Sequence, residues 1–195
     1  LGLAGKTLVI FSSDNGPWWQ GNPGYARGRK LLWFEGGFRV PFLARWPAVI
    51  PPGSVCPHTI CTTDLMATAA EVAGAALPPN AGEDSYSLMP LFRGESVEGD
   101  FREATVHHSI SGHFAIRKGK WKLLEARGSG GWSFPTEKQG EAWGLPAVQL
   151  YDLENDPRES TNLASAFPEK VAELQALLNR YRQENRSAPL PAQPR

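Results

Sequence analysis

The sequence lacks several features that would indicate particular classes of protein. Its 20 basic side chains are balanced by 20 acidic ones, so the formal net charge is zero. A balanced charge favours neither nucleic acid nor an anionic membrane as a partner. No apolar stretch approaches the roughly 20 residues that cross a bilayer, and the first residues lack the layout of a signal peptide. We therefore expect no nucleic-acid partner and no membrane span, and any anion specificity must be local.

Cysteine is also scarce, with only Cys56 and Cys61 in the whole sequence. Four residues separate them and no second pair exists, which argues against a structural zinc site. We interpret both as small buried or surface thiols. Two cysteines do not indicate in which cellular compartment the protein is located.

What the sequence does contain is the composition of an ordinary globular protein, with 41% apolar and 21% charged residues in a chain of 195. This length suits one sizeable domain or part of a larger one. The chain has no initiator methionine and begins just before an apolar run that suits a core strand. We expect a fragment whose amino-terminal half is missing.

That apolar run, residues 7–11, is short and rich in β-branched side chains, which predicts a strand buried on both faces. Asp14 and Asn15 follow after two serines, where the strand would end. In open α/β sheets, ligands bind at the carboxyl ends of parallel strands. A carboxylate beside an amide suits calcium or magnesium better than zinc. The alternative is an ordinary turn, because Asp, Asn, Gly and Pro dominate turns for backbone reasons.

A basic cluster follows in the next loop, at Arg27, Arg29 and Lys30, and is succeeded by Glu35-Gly36-Gly37. Lysine serves as a point charge for an oxyanion and arginine as a bidentate fork. Basic side chains that follow two possible metal ligands indicate a site in which an anion is bound next to a divalent metal ion.

The order and spacing of four short motifs resemble the sulfatase family, arylsulfatase-like members of the alkaline-phosphatase superfamily. The motifs are Ser13-Asp14-Asn15-Gly16, Gly28-Arg29-Lys30, Glu35-Gly36-Gly37 and Arg39-Val40-Pro41. Later stretches at 63–73, 85–94, 115–123 and 150–164 resemble the same family. The combination is far more specific than any single motif.

The resemblance implies roles for particular residues. Asp14 and Asn15 are expected to be ligands of one calcium ion, and Lys30 to contact the sulfate. Arg27, Arg29 and Arg39 are possible helpers, although Arg39 fits a structural ion pair equally well. The family's nucleophile is a formylglycine made in a Cys/Ser-x-Pro/Ala-x-Arg motif. Neither cysteine has that context, so we expect the nucleophile in the missing half.

The expected fold is α/β, part of an alkaline-phosphatase-like sandwich with a mainly parallel sheet, plus a small antiparallel sheet and a packed carboxy-terminal helix. We predict a catalytic part at 1–95, a subdomain at 100–186 and a disordered tail at 187–195. Helices are predicted at 63–73 and 167–186, and a strand at 38–46. Short strands are predicted at 104–108, 114–117, 121–125 and 149–153.

Two stretches leave alternatives open. The insertion at 126–147 carries Trp132, Phe134 and Trp143, which either stack on a sugar or aryl group or fold back over the small sheet. The acidic string at 152–159 lacks the EF-hand pattern and is interpreted as a structural turn rather than a calcium loop.

Three histidines, His107, His108 and His113, cluster near a predicted loop. In proteins resembling this one, that loop can approach the mouth of the active site, and the histidines then contact the leaving group. The alternative is that each is a surface or strand-end histidine. His58 has no feature that favours function.

The resemblance implies hydrolysis of a sulfate ester to an alcohol and inorganic sulfate, with this chain alone inactive. The substrate is expected to be a sulfated small molecule or carbohydrate. A phosphatase, phosphodiesterase or phosphonate hydrolase of the same superfamily is one alternative, and a non-catalytic glycan-binding relative is another. Export to the periplasm, lysosome or medium follows from the resemblance only, and oligomeric state is open.

Overall fold

The computed structural model describes residues 1–190. After a short 3-10 helix at Ala4–Lys6, these described residues form six strands and five α-helices. The strands are β1 Val9–Phe11, β2 Leu43–Arg45, β3 Thr105–His108, β4 Phe114–Lys118, β5 Trp121–Leu124 and β6 Gln149–Asp152. The helices are α1 Glu35–Phe38, α2 Asp64–Val72, α3 Met89–Phe92, α4 Glu137–Ala142 and α5 Pro168–Glu184.

The described chain divides into two compact units that are discontinuous in sequence. The first comprises Leu1–Ser12, Pro41–Thr105 and the residues from Tyr181 onward, and the second comprises Ser13–Val40 and Val106–Arg180. The loop with the predicted site motifs therefore belongs to the same unit as the carboxy-terminal sheet. The domain limits predicted at 1–95 and 100–186 do not follow this division and stay a prediction.

In the first unit, β1 pairs antiparallel with β2, with Ile10 opposite Ala44. The expectation that β1 is buried on both faces is wrong, because Val9 and Phe11 are 51% and 63% exposed. An apolar run identifies a strand, but its burial depends on which neighbours cover it. Among the described residues, β2 is the only strand paired with β1. The core of this unit forms instead around α3, where Leu88, Met89 and Phe92 are buried.

The second unit contains a four-stranded sheet in the order β3-β4-β5-β6, with β4, β5 and β6 antiparallel. The predicted small antiparallel sheet is confirmed, and β4 and β5 form a hairpin within it. The main core of this unit combines the sheet with Trp33 and Phe34, which lie just before α1. This packing holds the segment between the predicted cation cluster and the Glu35-Gly36-Gly37 turn.

The predicted helices correspond to α2 and α5, and Leu174, Leu177, Leu178 and Tyr181 of α5 are buried as their spacing predicts. The strand predicted at 38–46 is shorter than expected, because Phe38 ends α1 and only Leu43–Arg45 is extended. Ser187 and Ala188 each donate a backbone hydrogen bond to the Glu83 carbonyl, which differs from the predicted disorder. The rest of the predicted tail, 191–195, lies outside the described residues.

No helix in the part of the chain that the structure describes combines the length and apolar character needed to cross a membrane.

Candidate active site

The three sequence motifs that carry the predicted site meet through backbone hydrogen bonds in the second unit. Gly16 N–H donates to the Gly37 carbonyl at 2.8 Å, and Gly36 N–H donates to the Arg27 carbonyl at 2.7 Å. Lys30 N–H donates to the Pro17 carbonyl at 3.0 Å. The Asp14-Asn15 loop, the Lys30 segment and the α1 turn are thus joined in one place.

Close approach explains why these motifs require glycine. A Cβ atom on Gly16 would lie 1.9 Å from the Gly36 carbonyl oxygen, and one on Gly37 would lie 2.0 Å from that of Leu32. Both contacts are with backbone, which cannot move aside as a flexible side chain can. The spacing of the motifs therefore reflects a backbone junction that only glycine permits.

Asp14 and Asn15 lie at the start of this junction. Asp14 is exposed and Asn15 is half-buried, with its side-chain nitrogen donating to the Gly16 carbonyl at 3.0 Å. That bond uses the amide nitrogen of Asn15, so the Oδ1 atom of Asn15 and the carboxylate of Asp14 are the oxygen donors of these two neighbouring residues. The donor set therefore fits a hard cation.

Two side chains do not complete a calcium site, which takes six to eight oxygens. Within residues 1–190, no group of three or more His, Cys, Asp or Glu side chains could hold a metal ion. The assignment of Asp14 and Asn15 as metal ligands stays a prediction that requires ligands from elsewhere.

Lys30 lies on the wall of a cavity, as Arg29 does. The next residue, Leu31, has a φ of +79°, a left-handed conformation that is costly for a side chain of this size. Strained backbone of this kind is concentrated at functional sites. The sulfate contact of Lys30 stays a prediction.

The histidine loop after β3 contacts the same segment. Ile110 N–H donates to the Leu31 carbonyl at 3.3 Å, one residue from Lys30. His108 is exposed, with Nδ1 2.9 Å from the Ser109 carbonyl, and His113 packs edge-on against the Trp33 ring. The loop therefore lies close to the Lys30 segment, while contact of either histidine with a substrate stays a prediction.

His107 has different surroundings. Its Nε2 atom is buried without a hydrogen-bond partner, and its ring lies 3.9 Å from that of Phe38. Burial, together with the nearby cations Lys122 and Arg117, holds the pKa of His107 well below its usual value. A neutral imidazole packed in this way is typical of a structural residue. The predicted substrate contact of His107 has the weakest support of the three.

Beneath the α1 turn lies a cluster of charges that we call the buried ion cluster: Glu35, Lys122 and Glu159. Lys122 Nζ is 3.2 Å from Glu35 Oε1 and 2.7 Å from Glu159 Oε1. Glu159 Oε2 also accepts the Glu35 backbone N–H at 2.7 Å. All three residues are almost completely buried, and Arg117, 3.4 Å from Glu35, balances the second carboxylate.

The arginines predicted as possible helpers have contacts within this framework. Arg27 donates to the Glu159 carbonyl at 2.6 Å, and its guanidinium lies 3.7 Å from the centre of the Phe34 ring. Arg39 lies 4.0 Å from Glu35, which favours the ion-pair alternative. Both side chains hold the α1 turn rather than extend the cation cluster at Lys30.

The acidic string after β6 forms a turn. Asp152 accepts hydrogen bonds from the backbone of Glu154 and Asn155, and Asp156 accepts those of Ser160 and Thr161. These contacts agree with the structural turn rather than a calcium loop.

Both cysteines are free thiols, as predicted, with Cys56 exposed and Cys61 half-buried. Burial raises the pKa of the Cys61 thiol, which makes it less reactive. Neither thiol is near a second cysteine that could form a disulfide with it among the described residues.

Comparison with known proteins agrees with this organisation. Residues 25–187 match the family described as N-sulphoglucosamine sulphohydrolase, C-terminal. The chain is 33% identical to an N-acetylgalactosamine-6-O-sulfatase of Bacteroides thetaiotaomicron, over 91% of this chain and 37% of the relative. It is 37% identical to human arylsulfatase A, over 91% of this chain and 38% of the relative.

A solved Bacteroides thetaiotaomicron structure, described under the metabolism of multiple glycosaminoglycans, superposes with a TM-score of 0.77. It is 30% identical and covers 93% of this chain and 40% of its own. These relatives are sulfatases with an α/β fold, as the motifs predict. The chain belongs to the N-sulphoglucosamine sulphohydrolase C-terminal family. It spans about two fifths of the length of the relatives it matches.

Proposed function

We propose that this chain contributes the Asp14, Asn15 and Lys30 side chains to an active site that hydrolyses sulfate esters by a calcium- and formylglycine-dependent mechanism. The observation that carries the proposal is the backbone junction of Gly16, Gly36 and Gly37. It brings the segment that carries Asp14 and Asn15 together with the Lys30 segment, in a chain of the sulfatase family.

In this proposal Asp14 and Asn15 hold the calcium ion through side-chain oxygens. When bound, calcium would supply positive charge to the sulfate oxygens. Calcium titration of the full-length gene product is the direct measurement of this role. Asp14→Ala is expected to weaken calcium binding, while Asp100→Ala, at an exposed aspartate in the other unit, serves as the control. Equal affinity in the two variants would contradict the assignment.

Lys30 donates to a sulfate oxygen and orients the sulfur for attack. During hydrolysis the bond between sulfur and the ester oxygen breaks, the alcohol takes up a proton, and water supplies the fourth oxygen of the sulfate. The formylglycine would supply the nucleophile, and the 195 residues do not encode its motif. His108 and His113 flank the loop that contacts the Lys30 segment, and in this proposal they contact the leaving group of the sulfate ester.

The test is a substitution of Lys30 in the full-length gene product. Lys30→Ala is expected to lower kcat/KM for an aryl sulfate by about a hundredfold or more, the usual loss when a preorganised donor to the transition state is removed. Lys138→Ala, at an exposed lysine of α4, is the matched control and should retain activity. Near-normal turnover of Lys30→Ala with a normal unfolding midpoint would rule out the sulfate contact. The isolated chain is expected to show no turnover.

A further inference from the structure

A cavity of about 270 Å³ adjoins Lys30, and three tryptophans are among the residues that line it. Trp18, Trp19 and Trp132 line it together with Arg29, Lys30 and Ser133. Its volume lies just below the roughly 300–1,000 Å³ that is usual for ligand pockets. A space of this size suits one or two rings rather than a long chain.

The three indoles are unusual in their exposure. Trp33, in the core of the same unit, is completely buried, whereas Trp19 and Trp132 are 62% and 70% exposed. Large apolar rings gathered around one concave surface indicate a binding site, because a chain gains nothing in folding by leaving them in water. Trp18 and Trp19 meet at an interplanar angle of 71°, with ring centres 5.8 Å apart. They form a corner rather than a parallel slot.

Trp132 belongs to the insertion at 126–147, and its position relative to Lys30 is fixed by backbone packing. A Cβ on Gly130 would lie 2.5 Å from the Trp33 ring, and one on Gly131 would lie 2.8 Å from the Leu31 carbonyl oxygen. The start of the insertion therefore packs against the segment that follows Lys30. The neighbouring loop is closed by the Ser129 hydroxyl, which donates to the Ser133 carbonyl at 2.7 Å.

Polar side chains also line the cavity. The Arg29 guanidinium donates to the Trp19 carbonyl, which holds it beside the indoles and uses one of its five N–H donors. Lys30 and Ser133 add an ammonium and a hydroxyl. The cavity therefore combines aromatic faces with several hydrogen-bond donors.

We propose that this cavity binds the pyranose ring of a sulfated saccharide, with Trp19 and Trp132 as its principal contacts. The proposal rests on the proposed function, since it places the sugar next to the sulfate at Lys30. A pyranose offers C–H faces for the indoles and hydroxyl or acidic groups for Arg29 and Ser133. A flat aryl group would fit a parallel aromatic slot better than a corner, and would leave the polar donors unpaired.

The experiment measures binding and turnover separately in the full-length gene product. The probes are N-acetylgalactosamine 6-sulfate, glucosamine 6-sulfate and a carrageenan oligosaccharide, titrated by calorimetry and by tryptophan fluorescence. Trp19→Ala and Trp132→Ala are each expected to weaken saccharide binding by about tenfold or more. Trp143→Ala is the matched control, because Trp143 is an exposed tryptophan of the same insertion that packs on Phe134 and does not line the cavity. It should bind within about twofold of the unsubstituted protein.

The outcomes separate this proposal from the sulfatase assignment. Loss of saccharide binding in both cavity variants, with no hydrolysis of any sulfate ester by the unsubstituted protein, would support the cavity and reject the proposed function. Hydrolysis of aryl sulfates with no binding of any saccharide probe would support the proposed function and reject saccharide binding in the cavity. An equal rise in KM for an aryl sulfate and a saccharide sulfate in Trp19→Ala would overturn the preference for a sugar. Equal saccharide binding by Trp132→Ala and Trp143→Ala would also overturn it.

Discussion

The buried ion cluster of the second unit and the start of α2 in the first unit both bury charge, but they satisfy it in different ways. At α2, Asp64 is completely buried and accepts backbone N–H groups from Cys61 and Tyr86 at 2.7 and 3.0 Å, with Arg102 3.1 Å from its carboxylate. In the ion cluster, Lys122 depends on two carboxylates, 87 and 37 residues away in the sequence.

The two clusters therefore stabilise different parts of the fold. Asp64 is paired by one arginine and by backbone donors of its own unit, so the pair mainly fixes how α2 begins. The ion cluster joins β5, the turn after β6 and the α1 turn, and Glu35 immediately precedes the glycines of the junction. We infer that the ion cluster positions the candidate active site, whereas the Asp64–Arg102 pair positions a helix.

The largest expected effect is that of Lys122→Met, which removes the only ammonium group in the cluster. It would leave two carboxylates buried with Arg117 as the remaining cation. Removing one partner of a buried ion pair costs about 3–5 kcal/mol, because the other charge is left uncompensated. The measurement is the urea unfolding of the full-length gene product, followed by circular dichroism.

The control for this substitution is Lys118→Met on the neighbouring strand β4. Lys118 forms a partly exposed pair with Glu173 at 3.2 Å, and such pairs contribute less than about 1 kcal/mol. Similar unfolding midpoints for the two variants would refute the idea that the buried cluster organises this unit.

A smaller loss is expected for Arg102→Met. Asp64 would keep both backbone donors, so its carboxylate would remain partly compensated. We expect a loss of about 2–3 kcal/mol in the free energy of unfolding, at or below the usual range for a broken buried pair. Unfolding in urea is again the measurement, with Arg93→Met, at an exposed pair with Glu71, as the control. A greater loss of unfolding free energy for Arg102→Met than for Lys122→Met would contradict the greater structural importance that we infer for the buried ion cluster.

Much of this architecture could be predicted from the sequence, because it is encoded locally. Helical spacing predicted α2 and α5, and short segments bounded by turn residues predicted β3 to β6. The resemblance to sulfatases marked Asp14, Asn15 and Lys30, and the glycine contacts explain why those motifs have fixed spacing.

What the sequence could not provide depends on long-range contacts. Lys122 lies in a short strand between apolar residues and looks like any lysine on an exposed face, since its partners are distant in the chain. The exposure of β1 depends on covering elements that an apolar run cannot reveal. Two adjacent tryptophans, Trp18 and Trp19, in a loop rich in Gly and Pro are a usable sequence signal for the cavity, and the sequence-based interpretation included only Trp132 of the three.

The smallest expected effect concerns Asp152, a carboxylate that resembles Asp64 in accepting backbone N–H groups but lies at the rim of the sheet. Burial alone would raise its pKa, but hydrogen bonds from Lys120, Asn155 and the backbone outweigh burial and lower the pKa from 3.8 to about 2. Because the folded pKa lies below the unfolded one, the native state binds fewer protons between these values. The stabilisation is complete above pH 3.8 and is lost as pH falls towards 2.

Asp152→Asn removes this titration and is expected to flatten the acid limb of the stability curve between pH 4 and pH 2, as the same pKa values imply. Thermal unfolding across that range is the measurement, and Asp100→Asn, at an exposed aspartate, is the control. The slope should decrease only for Asp152→Asn. An unchanged slope would mean that the hydrogen bonds of Asp152 do not persist in solution. In that case Asp64, which is fully buried, would be the only one of the two carboxylates that the fold holds in place.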